Sequence, residues 1–106
     1  MWRKAMKVVK VKESGEMVSY YAGKIKQGLE VSYDFGKVTF PMPGCRPLLA
    51  FRDEAAAWRF LKSEDEPDAT LIVACLVNTT TENPKEGWDW SQGTLFCKEI
   101  VLLRNS

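Results

Sequence analysis

The chain has 106 residues, enough for one domain with a modest single core and too few for two. Hydrophobic residues make up 45% and charged residues 27%, with a net charge of +1, which is the balance of a soluble globular chain and excludes a disordered or fibrous one. Histidine is absent, so Ser/His/Asp and Cys/His nucleophile arrangements, two-histidine zinc proteases, Cys/His zinc fingers and any imidazole proton transfer are excluded with it.

Lys4–Lys12 reads as a strand because Val8, Val9 and Val11 are β-branched and stiff at χ1. A basic amphipathic helix is the alternative, since Trp2, Ala5, Met6 and Val9 also follow helical spacing. Glu13–Glu16 is a turn with Gly15 free to adopt positive φ, and Met17–Ala22 returns as the second arm of a hairpin. After a glycine-bounded connection over 23–28, Leu29, Val31 and Tyr33 alternate with Glu30, Ser32 and Asp34, the pattern of a strand with one face in the core. Asp34–Lys37 is the next turn, and Val38–Phe40 is a short strand ended by Pro41. Three of the five prolines fall between Pro41 and Pro47, which makes that segment a shaped loop.

Leu48–Phe51 is a short apolar strand leading into a helix over about 53–63. Asp53 is its expected N-cap, the three alanines 55–57 have the highest helix propensity, and Ala56, Ala57, Phe60 and Leu61 share one face. The acidic run from Glu64 to Glu66 and then Pro67 end it. Thr70–Val77 alternates apolar side chains on both faces, as expected of a central strand covered on both sides. A polar loop over 78–93 precedes a last strand, Thr94–Leu103. The expectation is a single α+β domain over 1–106, with a curved, mostly antiparallel sheet of six to seven strands and one packed helix.

Cys45, Cys75 and Cys97 have no C-x-x-C spacing and no histidine beside them, so no zinc site or other cofactor is expected. Cys75 and Cys97 lie in apolar runs, where free cysteine acts as a small hydrophobe. An odd cysteine count and a charged N-terminal segment without an apolar signal region point to the cytoplasm. The longest apolar run, Leu71–Val77, is far short of the roughly 20 residues a membrane helix needs, so no membrane partner is expected.

Charge is unevenly distributed. Met1–Lys26 holds seven basic and two acidic residues, while the other eighty hold eight and twelve. In a hairpin, Lys7, Lys10 and Lys12 would lie near Tyr20 and Tyr21, with Lys24 and Lys26 adjoining. Cations beside aromatic faces are the ingredients of single-stranded nucleic-acid binding, and equally of an edge hairpin protected by lysines. Trp88 and Trp90 share one side of an extended segment, either as a stacking platform for a partner or as a flap over the core. Cys45 beside Arg46 has the surroundings of a reactive thiol, but with no base to activate it a structural turn is the simpler reading. The acidic stretch Glu64, Asp65, Glu66 and Asp68 lacks EF-hand spacing and reads as a solvated helix exit.

The run Leu48–Phe51, Arg52–Leu61 and Thr70–Val77 resembles the strand, alanine-rich helix and strand of small ADP-ribosyltransferase-like domains. It is also similar to small prokaryotic and phage α+β proteins. The resemblance covers about thirty residues and implies a fold relationship, with nucleotide handling as the activity. No catalytic residue carries over: histidine is missing, and Glu99 is the only late acid.

The leading expectation is a cytoplasmic, non-enzymatic module that binds a protein partner through loops and an exposed sheet surface, as monomer or homodimer. Two alternatives stand beside it. One is an ADP-ribosyltransferase-like, nucleotide-handling enzyme, and the other is weak single-stranded nucleic-acid binding through the basic hairpin.

Overall fold

The computed structural model describes residues 2–19, 31–41, 47–62, 70–80 and 93–104. Among the described residues there are seven strands, β1 (Arg3–Val11), β2 (Met17–Ser19), β3 (Ser32–Tyr33), β4 (Val38–Thr39), β5 (Leu48–Phe51), β6 (Thr70–Thr79) and β7 (Thr94–Leu102), and one helix, α1 (Glu54–Lys62), between β5 and β6. The N-terminal segment is therefore strand, as its valines require, and every strand pair in the sheet is antiparallel.

The sheet closes on itself. β1 pairs along most of its length with β6, from Arg3↔Val77 to Lys10↔Thr70. β6 pairs with β7, β7 with β5, and β5 returns to β1 through the single pair Met6↔Phe51. These four strands form a small barrel. Beyond the short β5, its wall is extended on one side by β2 and β3 and on the other by β4, which pairs with β7 through Val38↔Val101 and Thr39↔Ile100. β3 and β4 are joined by a tight turn in which the Lys37 N–H donates to the Asp34 carbonyl, and Gly36 takes a φ of 78°. Phe35 in that turn bridges to Leu102.

Strand alternation sorts side chains between the inside and outside of this barrel. Inward lie Ala5 and Val9 from β1, Tyr33 from β3, Leu48 and Ala50 from β5, Val73, Cys75 and Val77 from β6, and Cys97, Ile100 and Leu102 from β7. Cys97 and Ile100 both point inward although three residues apart, because β7 bulges: Asn78 faces Glu99 while Thr79 faces Cys97, leaving Lys98 as the extra residue.

A second core lies outside the barrel wall, under α1. Asp53 caps the helix, its Oδ1 accepting from the Ala56 N–H at 2.8 Å. The buried helix face is Ala56, Ala57, Phe60 and Leu61, as its spacing predicts. It packs on Val8 and Phe51, with Met6 and Ile72 partly buried at the margin, and the Phe51 and Phe60 rings sit 5.0 Å apart. Gly93 makes the close approach possible between the start of β7 and the helix. Its φ is 89°, its carbonyl accepts from the Arg52 N–H, and a Cβ there would lie 2.8 Å from the Ala56 Cβ.

The expectation of a strand covered on both faces holds for only part of β6. Ile72 meets the helix-side core, but Leu76 on the same face remains half-exposed, because nine helical residues are too short to cover the whole outer wall.

Candidate functional site

Two places gather side chains of interest, one inside the barrel and one on its outer wall. Inside, Lys7 shares the inward parity of Ala5 and Val9 and is only 5% exposed. Its ammonium donates to the Leu49 carbonyl, bonding β1 to β5 at the seam that backbone pairing closes only once. It also stands over the Tyr33 ring, 5.3 Å from the centroid, a cation–π contact. Cys75 and Cys97 complete the group, both fully buried and both free thiols.

This environment pushes each group toward its neutral form. Burial lowers the Lys7 amine from 10.5 to about 8, opposed by the neighbouring thiols of Cys97 and Cys75. Burial also raises Cys75 to about 12 and Cys97 to about 11, with Lys7 pulling both back down. Tyr33 is raised as well, mainly by burial, and its hydroxyl has no hydrogen-bond partner. Thiols held this far above neutral pH are poor nucleophiles, and no member of the group opens to solvent. The cluster is structural: a lysine spans the barrel seam, and small sulfur side chains fill the space around it.

The outer wall differs. Successive register pairs place Val38, Val101, Leu76 and Lys4 in one cross-strand row over β4, β7, β6 and β1. Val38 is 42% exposed, and Val101 and Leu76 are half-exposed. Phe40, directly after the end of β4, is 59% exposed. Trp2, one step before the Arg3↔Val77 pair and beside Asn78, is 41% exposed. Between these aromatics the Asn78 amide donates to Glu99 Oε1 at 2.9 Å. Val38, Val101 and Leu76 therefore form an apolar row that no other described element covers, with exposed Phe40 directly after β4 and Trp2 directly before β1, and it continues the surface that α1 covers through Met6, Val8 and Ile72.

Of the residues singled out from sequence, Lys7, Lys10 and Lys12 are described, and they do not share one face. Lys7 is in the barrel interior and cannot join an exposed basic face, because its strand position shares the parity of Ala5 and Val9. Lys10 is partly exposed at the end of β1. Lys12 is exposed in the β1–β2 turn and pairs with Glu16 at 3.8 Å. Tyr20, Tyr21, Lys24, Lys26, Cys45, Trp88 and Trp90 lie outside the described residues, as does the acidic stretch 64–68. The outer patch was not found from sequence because its members come from four strands. The available signal was the order Val38-Thr39-Phe40, two apolar residues around a threonine on a short strand.

Among the described residues no group of three or more Cys, Asp or Glu comes together to hold a metal, and no helix is long and apolar enough to cross a membrane. Comparison with protein-family models, with curated proteins and with solved structures finds no match.

Proposed function

We propose that this chain is a small, non-enzymatic interaction module of a reducing, cytoplasmic compartment, binding a protein partner through the bare outer face of its barrel. The observation that carries this reading is the row Val38, Val101 and Leu76 flanked by Phe40 and Trp2. Among the described residues the same outer surface is covered by α1 at one end and by no other element at the other. A contiguous apolar patch on a small domain marks an interaction surface, whereas scattered exposed hydrophobics do not. The sealed interior, with its thiols held protonated, supports a binding role over a catalytic one, and buried unpaired thiols suit a reducing compartment.

Site-specific photo-cross-linking in cells tests the reading. A photoreactive residue at Phe40 is expected to yield a discrete adduct with one protein, lost when Val38→Asp is added. The same residue at Trp58, exposed on the outer side of α1, serves as the reference. No adduct from position 40, or the same adducts from both positions, sinks the proposal.

A further inference from the structure

We infer that the barrel has a charge-driven gate: the fork in its wall where the neighbour of β1 changes from β5 to β2 opens to admit water to the Lys7 ammonium, and closes when that amine is neutral. This goes beyond the interaction reading above and does not depend on it.

The fork is set by register. Met6 pairs with Phe51, and continuing that antiparallel register would bring Val8 opposite Leu49 and Val9 opposite Leu48. Val9 pairs instead with Ser19, and Val11 with Met17. β2 thus takes over the edge of β1, and among the described residues the Leu48–Leu49 end of β5 has no strand pairing on that side. The neighbouring joins are longer, with eight residue pairs between β1 and β6 and four between β5 and β7. α1 packs on Phe51 and so holds the paired end of β5. What spans the fork is a side chain, the Lys7 amine donating to the Leu49 carbonyl. Local openings are found where few contacts hold a segment in place.

Charge supplies the driving force. Lys7 is 5% exposed, and its partners are the Leu49 carbonyl and the Tyr33 ring, with no carboxylate beside it among the described residues. An ammonium buried without a counter-charge lacks the hydration it had in water, and opening the fork restores it. The titratable groups facing it are Tyr33 on β3, Cys75 on β6 and Cys97 on β7. β2, β4 and β5 contribute none, and Arg3, on β1 itself, adds a further cation near Cys97. Burial keeps the phenol and both thiols protonated beyond pH 9, so within this group only Lys7, lowered to about 8, changes charge between pH 7 and 9 in the closed barrel. Opening returns the amine toward 10.5 and so takes up a proton across this range, which means that rising pH shuts the gate.

Slow thiol labelling of the native full chain reads the gate. Cys97 pairs with Leu48 at the fork, whereas Cys75 lies farther along the barrel, opposite Ala5 and Leu102. With each rate corrected by that of the same thiol in urea-unfolded protein at the same pH, Cys97 should react well ahead of Cys75 at pH 7, at a rate unchanged by low urea. Lys7→Met should slow Cys97 by roughly tenfold or more. Ionisation of the exposed thiol favours opening equally in both proteins, so the ratio of wild type to Lys7→Met isolates the lysine. That ratio should fall about tenfold from pH 7 to pH 9. Lys7→Leu, equally uncharged, should reproduce the methionine variant and takes its place if that variant does not fold. Equal rates at Cys75 and Cys97 would mean that only global unfolding exposes them. Equal Cys97 rates in wild type and variant, or a ratio level with pH, would mean that the fork stays shut around a charged lysine. Either result overturns the gate.

Discussion

Lys7→Met removes the buried amine while keeping an unbranched side chain of similar length in the barrel. Desolvation lowers the folded-state amine from 10.5 to about 8, which corresponds to about 3 kcal/mol against the charged form. At pH 7, where Lys7 is charged, wild type carries this cost and the variant does not. The pH dependence separates them. Between about pH 8 and 10.5 the unfolded chain carries Lys7 protonated and the folded chain carries it neutral, so unfolding takes up a proton and wild-type stability rises with pH. Above pH 9 unfolding also releases protons from Cys75 and Cys97, which the folded barrel retains up to about 12 and 11. Tyr33 acts in the same direction from pH 10. Considering these four groups, wild-type stability should peak near pH 9. The variant should lack the rise and show only the alkaline fall. Urea unfolding of both proteins at intervals from pH 7 to 10.5 measures the difference, and wild type should gain about 3 kcal/mol relative to Lys7→Met over that range. A difference that stays constant with pH would show that Lys7 keeps a normal amine, and with it that the barrel does not desolvate this position.

Gly93→Ala should cost about 2 kcal/mol or more, since it places a Cβ at positive φ and within 2.8 Å of the Ala56 Cβ. That is a fall in Tm of roughly 10 °C for a domain of this size, readable by thermal circular dichroism; an unchanged Tm would contradict the close packing of α1 on the start of β7. Cys75 and Cys97, fully buried and raised to about 12 and 11, should resist a thiol reagent in native protein at pH 8 and react fully in denaturant. Modification at the rate of free cysteine, followed by peptide mapping, would show that the barrel opens to solvent.

Local features of this fold were legible in the sequence where one residue type imposes one geometry. Asp53 followed by three alanines marked the start of α1, and the spacing of Ala56, Ala57, Phe60 and Leu61 marked its buried face. Val8, Val9 and Val11 decided strand over helix in β1, and Gly15 marked the hairpin turn, where its φ is 89°. What stayed hidden depends on contacts distant in sequence. Closure of the barrel rests on β1 pairing with β6 and on one residue pair between β1 and β5, neither of which leaves a local trace. Lys7 was read as surface charge because lysine is rarely buried; only the parity it shares with Ala5 and Val9 signalled otherwise. β4 inverts the usual reading of polarity, with Thr39 inward and Val38 and Phe40 outward, because β4 is positioned by the Asp34–Lys37 turn and its pairing with β7. That inversion exposes two of the apolar side chains of the candidate binding face.

The bulge at Lys98 sets the phase of β7. Without it Ile100 and Leu102 would leave the barrel and Glu99 and Val101 would enter, exchanging a core pair for a carboxylate and removing Val101 from the outer row. The consequence is an asymmetric tolerance to changes in chain length along one strand. Deleting Lys98 keeps Cys97, Ile100 and Leu102 in ordinary alternation, so the strand straightens without turning over. Deleting Val101 a few positions later sends Leu102 outward and Leu103 in. Between Cys97 and Ile100 the strand has a spare residue, and changes in length that are ruinous elsewhere in β7 can be absorbed there.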